Sequence, residues 1–141
     1  QALPGMRIPG IPKNVFRLGL DWTPKDALKI GFTFIATSNL VTQGNEDGQI
    51  GGEDDLVARD AGIDGYQIVN ANMRYAKSDN LTIFARVTNL FDEKFETYGA
   101  MAESVFTKNG AFVDEDEGPT VNRFVAPGAP RGIFVGLNYK F

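Results

Sequence analysis

Arg131-Gly-Ile-Phe-Val-Gly-Leu-Asn-Tyr-Lys-Phe141 closes the chain, and its reading decides how the rest is read. Ile133, Val135, Leu137, Tyr139 and Phe141 recur at every second position, with smaller or polar residues mostly between them. Successive side chains of a strand point to opposite faces, so this alternation predicts a strand with one apolar face. A strand rising about 3.3 Å per residue and tilted by roughly 40° crosses a bilayer in about 9–11 residues. This run has that length. It finishes on an aromatic residue, where the ends of soluble domains usually fray in polar sequence.

Four earlier segments repeat the pattern. Phe16, Leu18, Leu20 and Trp22 share a face, as do Leu28, Ile30, Phe32, Phe34 and Ala36. Val69, Ala71, Met73 and Tyr75 form a weaker third stripe, and Leu81, Ile83, Ala85 and Val87 a fourth. The expected strands are therefore about 14–23, 28–38, 66–76, 81–90 and 131–141. Residues 1–13 carry three Pro and two Gly and are expected to be an irregular lead-in. Thr23-Pro-Lys-Asp26 and Ala76-Lys-Ser-Asp-Asn80 read as short turns, and about 39–65 and 91–130 as long loops.

Composition removes several function classes. The 141 residues include no Cys and no His, which speaks against disulfides, zinc sites, catalytic triads and histidine general bases. No paired carboxylates are expected on facing strands, so an enzyme is not expected. No cofactor and no nucleic-acid partner are expected either. There is no run of about 18 apolar residues for a transmembrane helix. Gln1-Ala-Leu-Pro-Gly has neither a basic start nor an apolar stretch, so an exported protein is expected to have further sequence ahead of it. Of the 18 acidic residues, seven lie within 45–64 and eight within 92–117, so the loops are acidic and the strands mildly basic.

Two features favour a membrane barrel over a soluble sandwich, and a third fits amphipathic strands of either kind. Short turns alternate with long loops, as periplasmic turns and extracellular loops do in such barrels. Trp22, Tyr75, Tyr139 and Phe141 fall on the short-turn side, where a girdle of interfacial aromatics belongs. Arg17, Lys29, Arg74, Arg86 and Lys140 all lie on the face opposite the apolar stripe. Five strands cannot close a barrel, and an open edge in lipid leaves backbone groups unpaired. The chain is thus expected to complete a larger barrel, either covalently or as one component of a split one.

Specific segments then resemble a family. Gly136-Leu-Asn-Tyr-Lys-Phe141 resembles the C-terminal signal of bacterial outer-membrane barrels, with Gly136, Tyr139 and Phe141 the residues that the barrel-assembly machinery would read. Val87-Thr-Asn-Leu-Phe-Asp-Glu-Lys-Phe95 is similar to the Asn-Leu-Phe-Asp-x-x-Tyr segment of TonB-dependent receptors, with Phe95 in place of Tyr. Ala126-Pro-Gly-Ala-Pro-Arg131 resembles their Pro-Gly-x-Pro-Arg lead into the last strand. Ile8-Pro-Gly-Ile-Pro-Lys13 resembles the entry to an earlier one. The resemblance implies an all-β fold, an antiparallel 22-stranded barrel of which these are the last five strands, filled by a plug that this chain lacks. It also implies an outer-membrane receptor for a scarce nutrient (ferric siderophore, haem, cobalamin or glycan), driven by an inner-membrane energy-coupling complex acting on the plug.

Site expectations follow. The inward Arg17, Lys29, Arg74, Arg86 and Lys140 either guide an anionic ligand or pair with plug carboxylates; pairing is the expected role, since a buried unpaired charge is costly. Phe84 and Phe134 are expected to pack on the plug. Tyr98, Met101, Phe106 and Phe112 are candidate ligand contacts in the last loop. Asp114–Glu117, with Glu46, Asp47 and Glu53–Asp55, would make a solvated acidic surface, a Ca²⁺ site, or a cation bridge to lipopolysaccharide. Gly44–Gly48 and Gly51-Gly52 lack the strand–loop–helix context of a phosphate cradle. A passive channel and a soluble β-sheet binding domain are the alternatives. The second has no apolar layer to cover seven large side chains from Phe16 to Phe34.

Overall fold

The alternating segments form strands in the structure, a computed structural model describing residues 7–44, 62–107, 109–112 and 120–141. Its strands are β1 Val15–Lys25, β2 Leu28–Thr37, β3 Leu40–Val41, β4 Gly62–Ile63, β5 Gln67–Ala76, β6 Leu81–Thr88, β7 Glu96–Ser104, β8 Thr120–Pro127 and β9 Gly132–Tyr139. All strand pairs are antiparallel. Among the described residues, no helix is long and apolar enough to cross a membrane. The chain divides into two units: Asn14–Thr37, Tyr66–Phe95 and Gly128–Phe141 form one, and Gln1–Lys13, Ser38–Gly65 and Glu96–Pro127 the other.

The first unit is a single sheet in the order β1-β2-β5-β6-β9. Residues directly opposite one another on neighbouring strands share a face, so the register tests the sequence pattern laterally. Trp22 opposes Ile30, which opposes Met73, then Ala85, then Val135. One step along, Leu20, Phe32, Ala71, Val87 and Ile133 line up the same way. The other face carries the row Asp21, Gly31, Asn72, Arg86, Phe134 and the row Lys29, Arg74, Phe84, Gly136. Every apolar stripe therefore joins its neighbours into one continuous apolar face.

Among the described residues, that face is exposed on its outer strands and half-buried between them. Phe16, Leu18, Leu20, Trp22, Ile133, Val135, Leu137 and Tyr139 are each more than half exposed. Among the described residues, the buried apolar side chains are Leu40 and Ile63, both in the other unit. Leaving so many large side chains in water forgoes on the order of 10 kcal/mol of burial, about the whole stability of an ordinary soluble domain. A lipid environment removes that deficit.

Two expectations are corrected. Pro24 is not in a turn: β1 continues to Lys25, and the turn is Asp26-Ala27. The register shifts between Trp22 and Lys25, so Thr23 and Pro24 together oppose Lys29 as a bulge. A proline, having no N–H, is tolerated there because it sits in the bulge, where the regular ladder is interrupted. The long excursions also carry strands of their own. β3 pairs with β4, and β7 with β8 as a long hairpin.

Candidate functional site

The polar face of the sheet gathers most of the basic residues singled out above. Lys29 and Arg74 are directly opposed, and Arg86 lies one row along, opposite Asn72. Arg17 stands opposite Ile35, further from the turn end. Lys140 lies just past β9, where its N–H donates to the Asn80 carbonyl (2.9 Å) and its carbonyl accepts from the Asn80 Nδ2 (2.9 Å). The first three are thus neighbours, and Arg17 and Lys140 sit apart from them. Phe84 does not simply await a partner. Its ring lies across Gly136 on the neighbouring strand, where an added Cβ would stand 2.2 Å from Phe84 Cζ.

Trp22, Tyr75 and Tyr139 stand at the turn-side ends of β1, β5 and β9, on the apolar face. Tyr139 and Phe141 meet edge to face, with ring centroids 5.3 Å apart.

The opposite end of the sheet holds a structure that the alternation does not reveal. Asn89, immediately after β6, is 2% exposed and has a left-handed backbone (φ 51°); Asp92 has φ 57°. Asn and Asp tolerate this conformation better than other side chains. Asn89 Nδ2 donates to the carbonyls of Glu93 (2.9 Å) and Ala129 (3.1 Å), and Asn89 Oδ1 accepts from the Glu93 N–H (2.9 Å). The Asn89 N–H donates to Asn70 Oδ1 (2.9 Å), and the Leu90 N–H to the Val69 carbonyl (2.7 Å). Asp92 Oδ1 accepts from the Arg131 N–H (2.9 Å), and the Phe95 carbonyl from the Gly128 N–H (2.7 Å). Gly128 must be glycine for the same reason as Gly136, since its Cβ would stand 2.3 Å from the Phe95 ring. Phe95 also packs on Tyr66, centroids 4.1 Å apart. The Asn-Leu-Phe-Asp and Pro-Gly-Ala-Pro-Arg segments are therefore two halves of one hydrogen-bonded clamp.

In the other unit, Gln43 docks on β7. Its N–H donates to the Gly99 carbonyl (3.0 Å), its carbonyl accepts from the Met101 N–H (2.7 Å), and its side chain bonds to the Tyr98 hydroxyl. Arg123 donates to the Gly62 carbonyl and pairs with Glu96 at 3.5 Å. Both groups of that pair are about a third exposed, so it contributes well under about 1 kcal/mol. Of the four candidate ligand contacts, Tyr98 and Met101 belong to this crossing, whereas Phe106 and Phe112 pair with each other across a tight turn, centroids 4.8 Å apart. The structure does not bring the four into one cluster. Most of the acidic loop residues and the glycine runs after Gly44 lie outside the described residues.

An antiparallel sheet with one exposed apolar face among the described residues, one basic and polar face and aromatics along one rim defines an outer-membrane β-barrel protein. The comparisons give the family. The family described as TonB dependent receptor-like, beta-barrel matches residues 1–90, and the chain belongs to it. That is a family of transport receptors of the bacterial outer membrane, each a barrel with a plug and energy coupled through TonB. No curated protein matches the sequence. Among solved structures, the chain is similar to the ferric-catecholate import receptor Fiu from E. coli K12 in its closed form (22% identity, TM-score 0.60, 94% of this chain and 15% of that one). It is also similar to the siderophore receptor PiuA from Acinetobacter baumannii (15%, 0.62, 94% and 14%). A third is the ferric enterobactin receptor PfeA from Pseudomonas aeruginosa (20%, 0.58, 92% and 16%). The chain thus spans about 15% of the length of the structures it matches.

Proposed function

We propose that these strands complete the barrel of an energy-coupled receptor that imports a ferric siderophore, as the similar receptors suggest. The observation that carries the reading is the family match over residues 1–90, together with a sheet whose apolar face is exposed among the described residues. β1 and β9 are the edges of this sheet, and in lipid each unpaired edge group costs several kcal/mol. Further strands, to 22 in the complete barrel, would pair with both. Residues 1–141 would then be the C-terminal part of the barrel domain, with 39–65 and 91–130 facing the outside.

Lys29, Arg74 and Arg86, with Arg17 and Lys140, would face the plug and pair with its carboxylates. Trp22, Tyr75, Tyr139 and Phe141 would sit at the periplasmic interface. Tyr98, Met101, Phe106 and Phe112 would be reached by ligand from outside, and Gly136, Tyr139 and Phe141 by the assembly machinery. Lipopolysaccharide would surround the acidic outer loops, and no catalytic step is assigned to the protein. Deleting the gene for the complete receptor should abolish energy-dependent uptake of labelled ferric catecholate into iron-starved cells, and dissipating the proton gradient should do the same in the parent. Uptake that survives both treatments would overturn the reading.

A further inference from the structure

The apolar face does not determine how β9 sits on β6. A slip by two residues in either direction leaves Ile133, Val135 and Leu137 on the same face as Ile83, Ala85 and Val87, because alternation survives an even shift. The lipid-facing side is therefore degenerate, and the register must be specified elsewhere. We propose that Asn89 and Asp92 are a register lock for the closing strand: they hold residues 128–131 so that Thr88 meets Gly132 and no neighbouring residue.

The clamp has the required geometry. Asn89 follows Thr88 directly, and Arg131 directly precedes Gly132, the first residue paired with β6. The segment between Gly128 and Arg131 is fixed at three backbone groups: the Gly128 N–H on the Phe95 carbonyl, the Ala129 carbonyl on Asn89 Nδ2, and the Arg131 N–H on Asp92 Oδ1. A two-residue slip moves that segment by about 6.6 Å and breaks all three bonds. Asn89 is itself held to β5 through Asn70, so the lock is referred to a third strand. The polar face agrees with it. Only in the observed register does Phe84 meet Gly136; a slip would set Phe84 against Phe134 or Asn138, with no glycine beneath its ring.

The inference rests on the barrel reading of this sheet, and its test separates the two. In the full-length receptor assembled in outer membranes, Ala85→Cys would be combined with Val135→Cys (observed register), Ile133→Cys or Leu137→Cys (slipped registers). This chain contributes no cysteine of its own. Disulfide yields would be compared in the wild type, Asn89→Gly, Asp92→Gly and Asp92→Asn. Glycine keeps the positive φ and removes only the side-chain bonds; the Asp92→Asn variant keeps an acceptor oxygen at the same place.

The parent and Asp92→Asn should cross-link overwhelmingly through Val135→Cys, with the slipped pairs a small, measurable fraction. In Asn89→Gly and Asp92→Gly, slipped pairs should rise about tenfold relative to the native pair, the change that follows from losing about one net hydrogen bond. Unchanged cross-linking in both glycine variants overturns the lock, and so does Asp92→Asn slipping as far as Asp92→Gly. If Asn89→Gly does not insert, Asp92→Gly decides alone by the same criterion. A parent lacking the Val135→Cys cross-link would instead overturn the sheet, and the lost-uptake test bears on neither.

Discussion

Leu18→Arg is expected to destabilise the full-length barrel by about 2–4 kcal/mol, while Gly19→Arg, the very next residue, should change stability by less than about 1 kcal/mol. Leu18 lies on the apolar face opposite Phe34, four residues from Trp22. At roughly 3.4 Å per residue and a tilt near 40°, that is about 10 Å from the aromatic rim, close to the middle of an apolar band about 25 Å tall. An arginine there must be drawn into hydrocarbon. Gly19 points to the other face, the one that carries Arg17, Lys29 and Arg74. Guanidinium titration of the heat-modifiable band in lipid vesicles would measure both. Equal costs at the two positions would mean that the faces are not in different solvents.

Gly136→Val should be the second large effect, about 1–3 kcal/mol from forcing a side chain into the Phe84 ring. Its decisive feature is coupling. Phe84→Ala removes the obstacle, so the double variant should recover about 1–2 kcal/mol relative to additivity. If instead the glycine is needed because the assembly machinery reads it directly, Phe84→Ala would restore nothing. Pulse-labelled assembly of the four proteins of this cycle, followed by thermal unfolding of the inserted fraction, distinguishes a packing role from a recognition role at the same residue.

Much of the sheet was legible in the sequence because a membrane strand carries a strict code: apolar at every second residue. Phe16 to Trp22 and Ile133 to Tyr139 obey it, and the lateral rows of the structure show that the five stripes share one face. β7 was not legible. Glu96-Thr-Tyr-Gly-Ala-Met-Ala-Glu-Ser104 mixes small, charged and aromatic residues on both faces, and its partner β8 begins sixteen residues further on. β3 and β4 are two residues each, shorter than any periodicity can reveal. Pro24 misled because proline in a Thr-Pro-Lys-Asp run is a turn signal, and its place in a bulge lets it remain extended.

The sites divide in the same way. Asn89 and Asp92 belong to the segment that carried the family resemblance, yet composition says nothing of their work. Their partners Asn70, Glu93, Ala129 and Arg131 lie on three stretches of chain that only the register brings together. A usable signal was present: two Asx residues just past a strand end, of the kind that accept left-handed backbone. Phe84 was assigned to plug packing because an aromatic on a polar face needs cover. The structure supplies part of that cover from Gly136, 52 residues away in sequence.

Whether the apolar stripe faces lipid is read from the environment of β2, residue by residue. Nitroxide labels would be placed one at a time at Lys29, Ile30, Phe32, Thr33, Phe34 and Ile35 of the full-length receptor in liposomes. Collision rates with oxygen, which concentrates in lipid, would then be compared with those of a water-soluble nickel complex. High oxygen and low nickel collision are expected at Ile30, Phe32 and Phe34, and the loss of that preference at Lys29, Thr33 and Ile35. A flat profile, or a lipid signature at Thr33 with none at Phe32, would contradict the membrane-facing assignment of the apolar stripe.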